Sequence, residues 1–176
     1  MKDNEKVKVS KNEFAEVLYR WLSKFLKKDA LKKSADEFGF KIRSEEDLGK
    51  ILGVLARFYM WLTVYTCERV FEDEKKRNDC LDIFNHLVYT RSTEGAEEDF
   101  GKWMNYMGEK YIEYDQAMKT EHPSTPLWPV ATLVNKDLFG EVKEDVWIQM
   151  RIVTRIATFV KHLGKAINQY EIYDTD

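Results

Sequence analysis

Proline occupies only three of the 176 positions of this chain, and Pro123, Pro126 and Pro129 all fall within seven residues of one another. Nowhere else does the sequence remove a backbone donor and crowd the preceding turn in the way that ends a helix. Cysteine is scarcer still: Cys67 and Cys80, with no CxxC pair, do not make a disulfide framework and read as buried thiols of a reducing, cytoplasmic setting. Histidine occurs three times, at His86, His122 and His162. The eight glycines are scattered and none belongs to a strand-turn-helix phosphate loop. The nucleophile elbow, the zincin His-Glu-x-x-His, the di-iron Glu-x-x-His and a Cys/His zinc pattern are all missing.

The opening stretch MKDNEKVKVSKNEF lacks the apolar run of a secretory leader. The longest apolar stretch, ILGVLARFYMWLTVYTC, is interrupted by Arg57 and suits a buried helix better than a membrane span. Lys and Arg total 28 against 31 acids, a net charge of −3, so no overall field draws the chain to nucleic acid or to a membrane. One segment, SADEFGFKIRSEEDLGKIL, has the spacing of a helix-turn-helix. Its second helix opens on Glu45, Glu46 and Asp47, which would face phosphates with the wrong sign. No nucleic-acid partner is expected.

What is abundant points to a core. Hydrophobic residues make up 44% of the chain, with ten Phe, nine Tyr and five Trp, too apolar and aromatic for a disordered chain. Ser10 and Glu13 have the spacing of a capping box, followed by Phe14, Leu18, Trp21 and Phe25 at helical steps. Residues 11–38 therefore read as one kinked helix or two short ones, closed by Gly39. Ser44 caps a central helix running to about residue 73, whose polar strip is narrow. A shorter helix follows the charged turn EDEKKRND, over about 78–92, and TEGAEEDF opens another that ends near residue 121. There Phe100, Met104, Met107, Tyr111, Tyr114 and Met118 alternate steps of four and three, a heptad seam. The seam is core, or the wall of a pocket for an apolar ligand with Trp61, Trp103, Tyr106 and Trp147 as neighbours. Gly101 and Gly108 on one face suggest a close helix approach.

The segment TEHPSTPLWPV is followed by apolar residues and reads as a rigid crossover, with a short helix near 129–139 covering one end of a bundle and Trp128 shielded. The last helix, about 144–170, carries two apolar stripes. One runs through Val146, Met150, Val153, Ala157, Val160, Gly164 and Ile167, the other through Ile152, Ile156, Phe159, Leu163 and Tyr170. Arg151, Arg155, Thr158, His162, Lys165 and Gln169 form a polar stripe opposite. No segment reads as a strand. The expected fold is an all-α compact bundle of five to seven helices with a Pro-rich crossover at 122–129. It forms one domain over residues 1–176, with 1–10 and 171–176 as flexible ends.

One cluster has metal-ligand spacing. Asp79, Asp82 and His86 fall within about 60° of one another on a helix at 100° per residue, so two carboxylates and an imidazole share a face. That face lies away from the helix's apolar side. His162 lies among Arg and Lys, and His122 in the proline turn. The leading expectation is a non-catalytic, cytoplasmic protein without a cofactor. It would bind a partner protein, a second copy of itself or a small apolar ligand. A metal-dependent enzyme or metal-binding protein using Asp79, Asp82 and His86 is the alternative, and a DNA-binding regulator comes third.

Overall fold

The computed structural model describes residues 6–92 and 99–173, and it is an all-α bundle. Strand β1 (Val7–Ser10) leads into α1 (Lys11–Leu26), which Ser10 and Glu13 open as the expected capping box: Ser10 Oγ accepts from the Glu13 amide at 3.2 Å, and Glu13 Oε2 accepts from the Ser10 amide at 2.7 Å. The chain breaks at Lys27, whose backbone is extended, and resumes as α2 (Lys28–Glu37). Gly39 takes a φ of +77°, the left-handed conformation that only glycine adopts cheaply, and turns the chain towards α3.

Helix α3 (Glu45–Val70) is the centre of the bundle, capped by Ser44 accepting from the Asp47 amide at 3.1 Å. Its narrow polar strip corresponds to burial of Ile51, Val54, Leu55, Phe58, Tyr59, Trp61 and Leu62 on several sides. Helix α4 (Glu74–Ser92) starts earlier than the sequence suggested. Asp73, inside the charged turn, accepts from the Lys76 amide at 2.9 Å and acts as an N-cap, so those charges lie on the first turn of a helix. It packs against α1.

Helix α5 (Phe100–Met118) opens on Asp99, which accepts from the Lys102 amide at 3.1 Å; most of the proposed TEGAEEDF start, residues 93–98, lies outside the described residues. Its heptad seam is core: Met107 and Tyr114 are buried, and Tyr114 packs on Phe58 and Trp61 of α3. The close approach expected at Gly108 is absent, since a Cβ there would meet nothing within 4 Å. The faces carrying Met107, Tyr111 and Tyr114 make the contact instead.

The three prolines form an ordered crossover into α6 (Trp128–Phe139), with Pro129 in the first turn and Gly140, φ +82°, closing it. Trp128 is half-buried rather than shielded, and its ring stacks on His122 at 5.4 Å and 8°. His122 Nδ1 also accepts from the Ser124 amide at 3.2 Å, so this histidine helps to close the proline turn. Asn135, fully buried, donates to the Lys143 carbonyl at 3.0 Å and accepts from the Lys143 amide at 2.9 Å. That pair of bonds holds the loop leading into α7 (Val146–Ile167).

Helix α7 packs on α3 and α6 through Ile148, Ile152, Ile156, Phe159, Leu163 and Ile167. Only one of the two expected stripes is therefore the core stripe. Val146, Met150 and Ala157, from the other, are exposed. The same stripe turns inward towards its end, where Ile167 and Gly164 are buried: the Cβ position of Gly164 lies 3.5 Å from Val70 Cγ2 and 3.9 Å from Thr66 Cγ2 on α3. Gly164→Leu should accordingly destabilise by about 2 kcal/mol or more through overpacking, whereas Ala157→Trp should change stability by less than about 0.5 kcal/mol. Chemical denaturation of both variants checks the contrast, and an equal loss in the two would contradict this placement of the stripes.

The sequence showed no strand, yet β2 (Tyr170–Tyr173) ends α7 and pairs in parallel with β1, from Val7 opposite Tyr170 to Ser10 opposite Tyr173. Parts of both ends expected to be flexible are thus ordered, and Tyr170 belongs to a strand rather than to the last helix. Lys76 of α4 donates to the Ile172 carbonyl at 3.0 Å, tying the ribbon to the bundle. Buried residues from all seven helices join one hydrophobic cluster. No helix among the described residues is long and apolar enough to cross a membrane.

Candidate ligand-binding cleft

The sequence-derived metal candidates do not converge. Asp79 accepts a 2.8 Å ion pair from Lys11 at the start of α1. Asp82 is exposed, and His86 packs edge-on against Phe100 at 5.3 Å. Among the described residues no three His, Cys, Asp or Glu side chains are gathered so as to hold a metal ion. The two cysteines are buried and unbridged, and burial, reinforced by Cys80 and Glu68, pushes the Cys67 thiol far up from its ordinary range, which suppresses the reactive thiolate.

A cleft of about 940 Å³ lies between α1–α2 on one side and α7 on the other. The extended backbone at Lys27 separates α1 from α2, and both helices contribute residues to one wall. From α1 come Trp21 and Phe25, from α2 Asp36 and Glu37. Helix α7 supplies Trp147, Met150, Arg151, Thr154, Arg155, Thr158, Phe159 and His162, which recur at steps of three and four along one face.

Its floor is continuous with the core. Phe25 and Phe159 meet at 5.1 Å between ring centroids, and both touch the buried Tyr59, at 4.9 and 5.4 Å. Trp21 adjoins Phe25 at 6.3 Å and carries the Lys24 ammonium 5.2 Å from its ring. These rings are held by neighbours on three helices, so the apolar surface is pre-formed.

The charged groups are arranged around one residue. Arg155 pairs with the Glu37 carboxylate, and Arg151 donates to the Glu37 carbonyl at 3.0 Å, satisfying one of the orphan acceptors at the end of α2. Partial burial holds the Arg155 guanidinium below its ordinary pKa, without bringing deprotonation near neutral pH. No family model, curated protein or solved structure matches the chain.

Sequence reasoning placed Arg151, Arg155, Thr158 and His162 on a solvated polar stripe and did not connect them with Trp21 or Phe25. Trp147, expected beside the α5 seam, stands on the cleft instead, 71% exposed. Trp61 is a neighbour of that seam, as expected: it is buried in the core and packs on Tyr114 at 5.1 Å. The signal available was the pair of tryptophans, Trp21 and Trp147, flanking otherwise polar helix faces.

Proposed function

We propose that this protein is a non-catalytic binding protein that holds a small apolar or aromatic molecule in the cleft between α1–α2 and α7. The observation that carries this reading is the cleft's size and lining together. Small-molecule sites are concavities of roughly 300–1,000 Å³ walled by aromatic side chains with a few placed polar groups, and about 940 Å³ floored by Trp21, Phe25 and Phe159 fits that description. Trp147 and Met150, 71% and 46% exposed, are large apolar side chains left in water at its edge. A bound apolar molecule would remove that exposure.

The test uses N-phenyl-1-naphthylamine, a neutral aromatic probe that fluoresces in apolar surroundings. Saturable binding with a dissociation constant in the micromolar range is expected. Thr158→Trp, at an exposed position on the cleft wall, should fill the space and weaken binding at least tenfold while the helical circular dichroism and melting temperature hold. Failure of the probe to saturate, or indifference of its binding to Thr158→Trp, would overturn the reading.

A second reading draws on the exposed apolar side chains Val142, Val146, Trp147 and Met150 around the start of α7. We infer that, if the cleft does not take a small molecule, this surface serves association with another protein or a second copy of the chain. Sedimentation equilibrium of the wild type and of Trp147→Lys separates the two: a wild-type dimer dissociated by the substitution supports association, and a monomer that binds the probe supports the cleft.

A further inference from the structure

Resting on the cleft as the binding site, we propose that its ligand is an amphipathic anion, with an aromatic or acyl body and a single anionic head. The head is placed at the Thr158–His162 end, and the body runs along Phe25 and Phe159 towards Met150 and Trp147. The placement follows from how charge and hydrogen-bonding capacity are distributed along the cleft.

At the level of Arg151 and Arg155 the cleft is already balanced. Arg155 faces Glu37, Arg151 is tied to the same residue's carbonyl, and the only other carboxylate of the lining, Asp36, precedes Glu37 in the chain. Seven residues further along α7 lies His162, about 10 Å away at 1.5 Å per residue. Around it the lining has the His162 imidazole, the Thr158 hydroxyl and no carboxylate, and the Lys24 ammonium, outside the lining itself, stands 5.2 Å from the ring of Trp21, which belongs to it.

Thr158 differs from the threonine one turn before it. Thr154 spends its hydroxyl on the Met150 carbonyl at 2.8 Å, and Thr63, Thr66 and Thr90 do the same with the carbonyl four residues back. Thr158 makes no such bond, which leaves its hydroxyl free for a ligand. His162 likewise has no hydrogen bond to another described residue. A cleft that is apolar along its floor, charge-balanced at one end, and free of carboxylates with an ammonium close by at the other discriminates in favour of a molecule with one negative end.

Two probes that share a ring system isolate the head group: 1-anilinonaphthalene-8-sulfonate carries a sulfonate where N-phenyl-1-naphthylamine carries none. At low ionic strength the sulfonate should bind at least tenfold more tightly, and added salt should reduce that advantage. The double variant Lys24→Gln/His162→Gln should abolish the advantage by weakening the sulfonate at least tenfold, and Thr158→Trp should displace both probes. Equal affinities in the wild type, or an advantage that survives the double variant, would overturn the anion while the cleft stands. Binding of neither probe would remove the cleft and the anion together.

Discussion

Trp61→Ala should lower the unfolding free energy by about 3–5 kcal/mol, the range for deleting a buried tryptophan. Trp61 lies on the central helix and is 1% exposed. Its ring stacks on Tyr65 at 5.2 Å and packs on Tyr114 at 5.1 Å, joining α3 to α5. The indole N–H donates to Asp115 at 2.8 Å. Truncation therefore removes packing on two sides and leaves a half-buried carboxylate without its donor, two costs that add. Domains of this kind are stable by only about 5–15 kcal/mol, so the variant should sit close to unfolding at ordinary temperature. Trp61→Phe retains most of the ring contact but not the hydrogen bond, and should cost clearly less. Urea denaturation at constant m-value measures both; a loss below about 1 kcal/mol for the alanine variant would contradict the packing described.

The residues that made the helices legible are those whose chemistry is local. Ser10 with Glu13, Ser44, Gly39 and the prolines act within a turn of their own position, so their spacing could be read directly. The core stripe of α7, Ile152, Ile156, Phe159 and Leu163, was equally plain. Its other stripe was not, because periodicity says which residues share a face and leaves open what stands opposite that face. Gly164 meets α3 while Ala157, on the same stripe, meets water. The cleft was hidden for the same reason: Trp21, Glu37 and Arg155 come from three helices, and no local spacing shows that they share one cleft. Four-residue strands at opposite ends of the chain gave no local sign of pairing. For Asp79, Asp82 and His86 the shared face was real, but Lys11, distant in sequence, takes Asp79 into an ion pair.

Raising the pH should unfold the protein cooperatively, driven by tyrosines that ionise only when released from the core. Burial pushes the Tyr59 phenol up to about 12, the Ser34 hydroxyl beside it pulling the other way. Burial also raises Tyr111 and Tyr114 well above the ordinary phenol, aided by the charges of Asp115 and Asp137 respectively, with Arg57 pulling Tyr114 down. In the unfolded chain these groups lose their protons near pH 10, while the folded protein keeps them. The unfolded state therefore binds fewer protons above that pH, and stability falls as pH rises. The contribution is fully present below about pH 10. For Tyr59 it is lost as the pH rises towards 12. The gap from 10 to about 12 is equivalent to about 2.7 kcal/mol for this one residue. Tyr114 and Tyr111 add to it in the same direction. Near-ultraviolet absorbance should show the tyrosinate signal of these three residues appearing together with the loss of far-ultraviolet helical signal. Tyr59→Phe removes one of the three ionisations and should move the alkaline midpoint to higher pH relative to the variant's own stability at neutral pH. Complete ionisation of all nine tyrosines while the helices remain intact would show that these phenols are not held in the core.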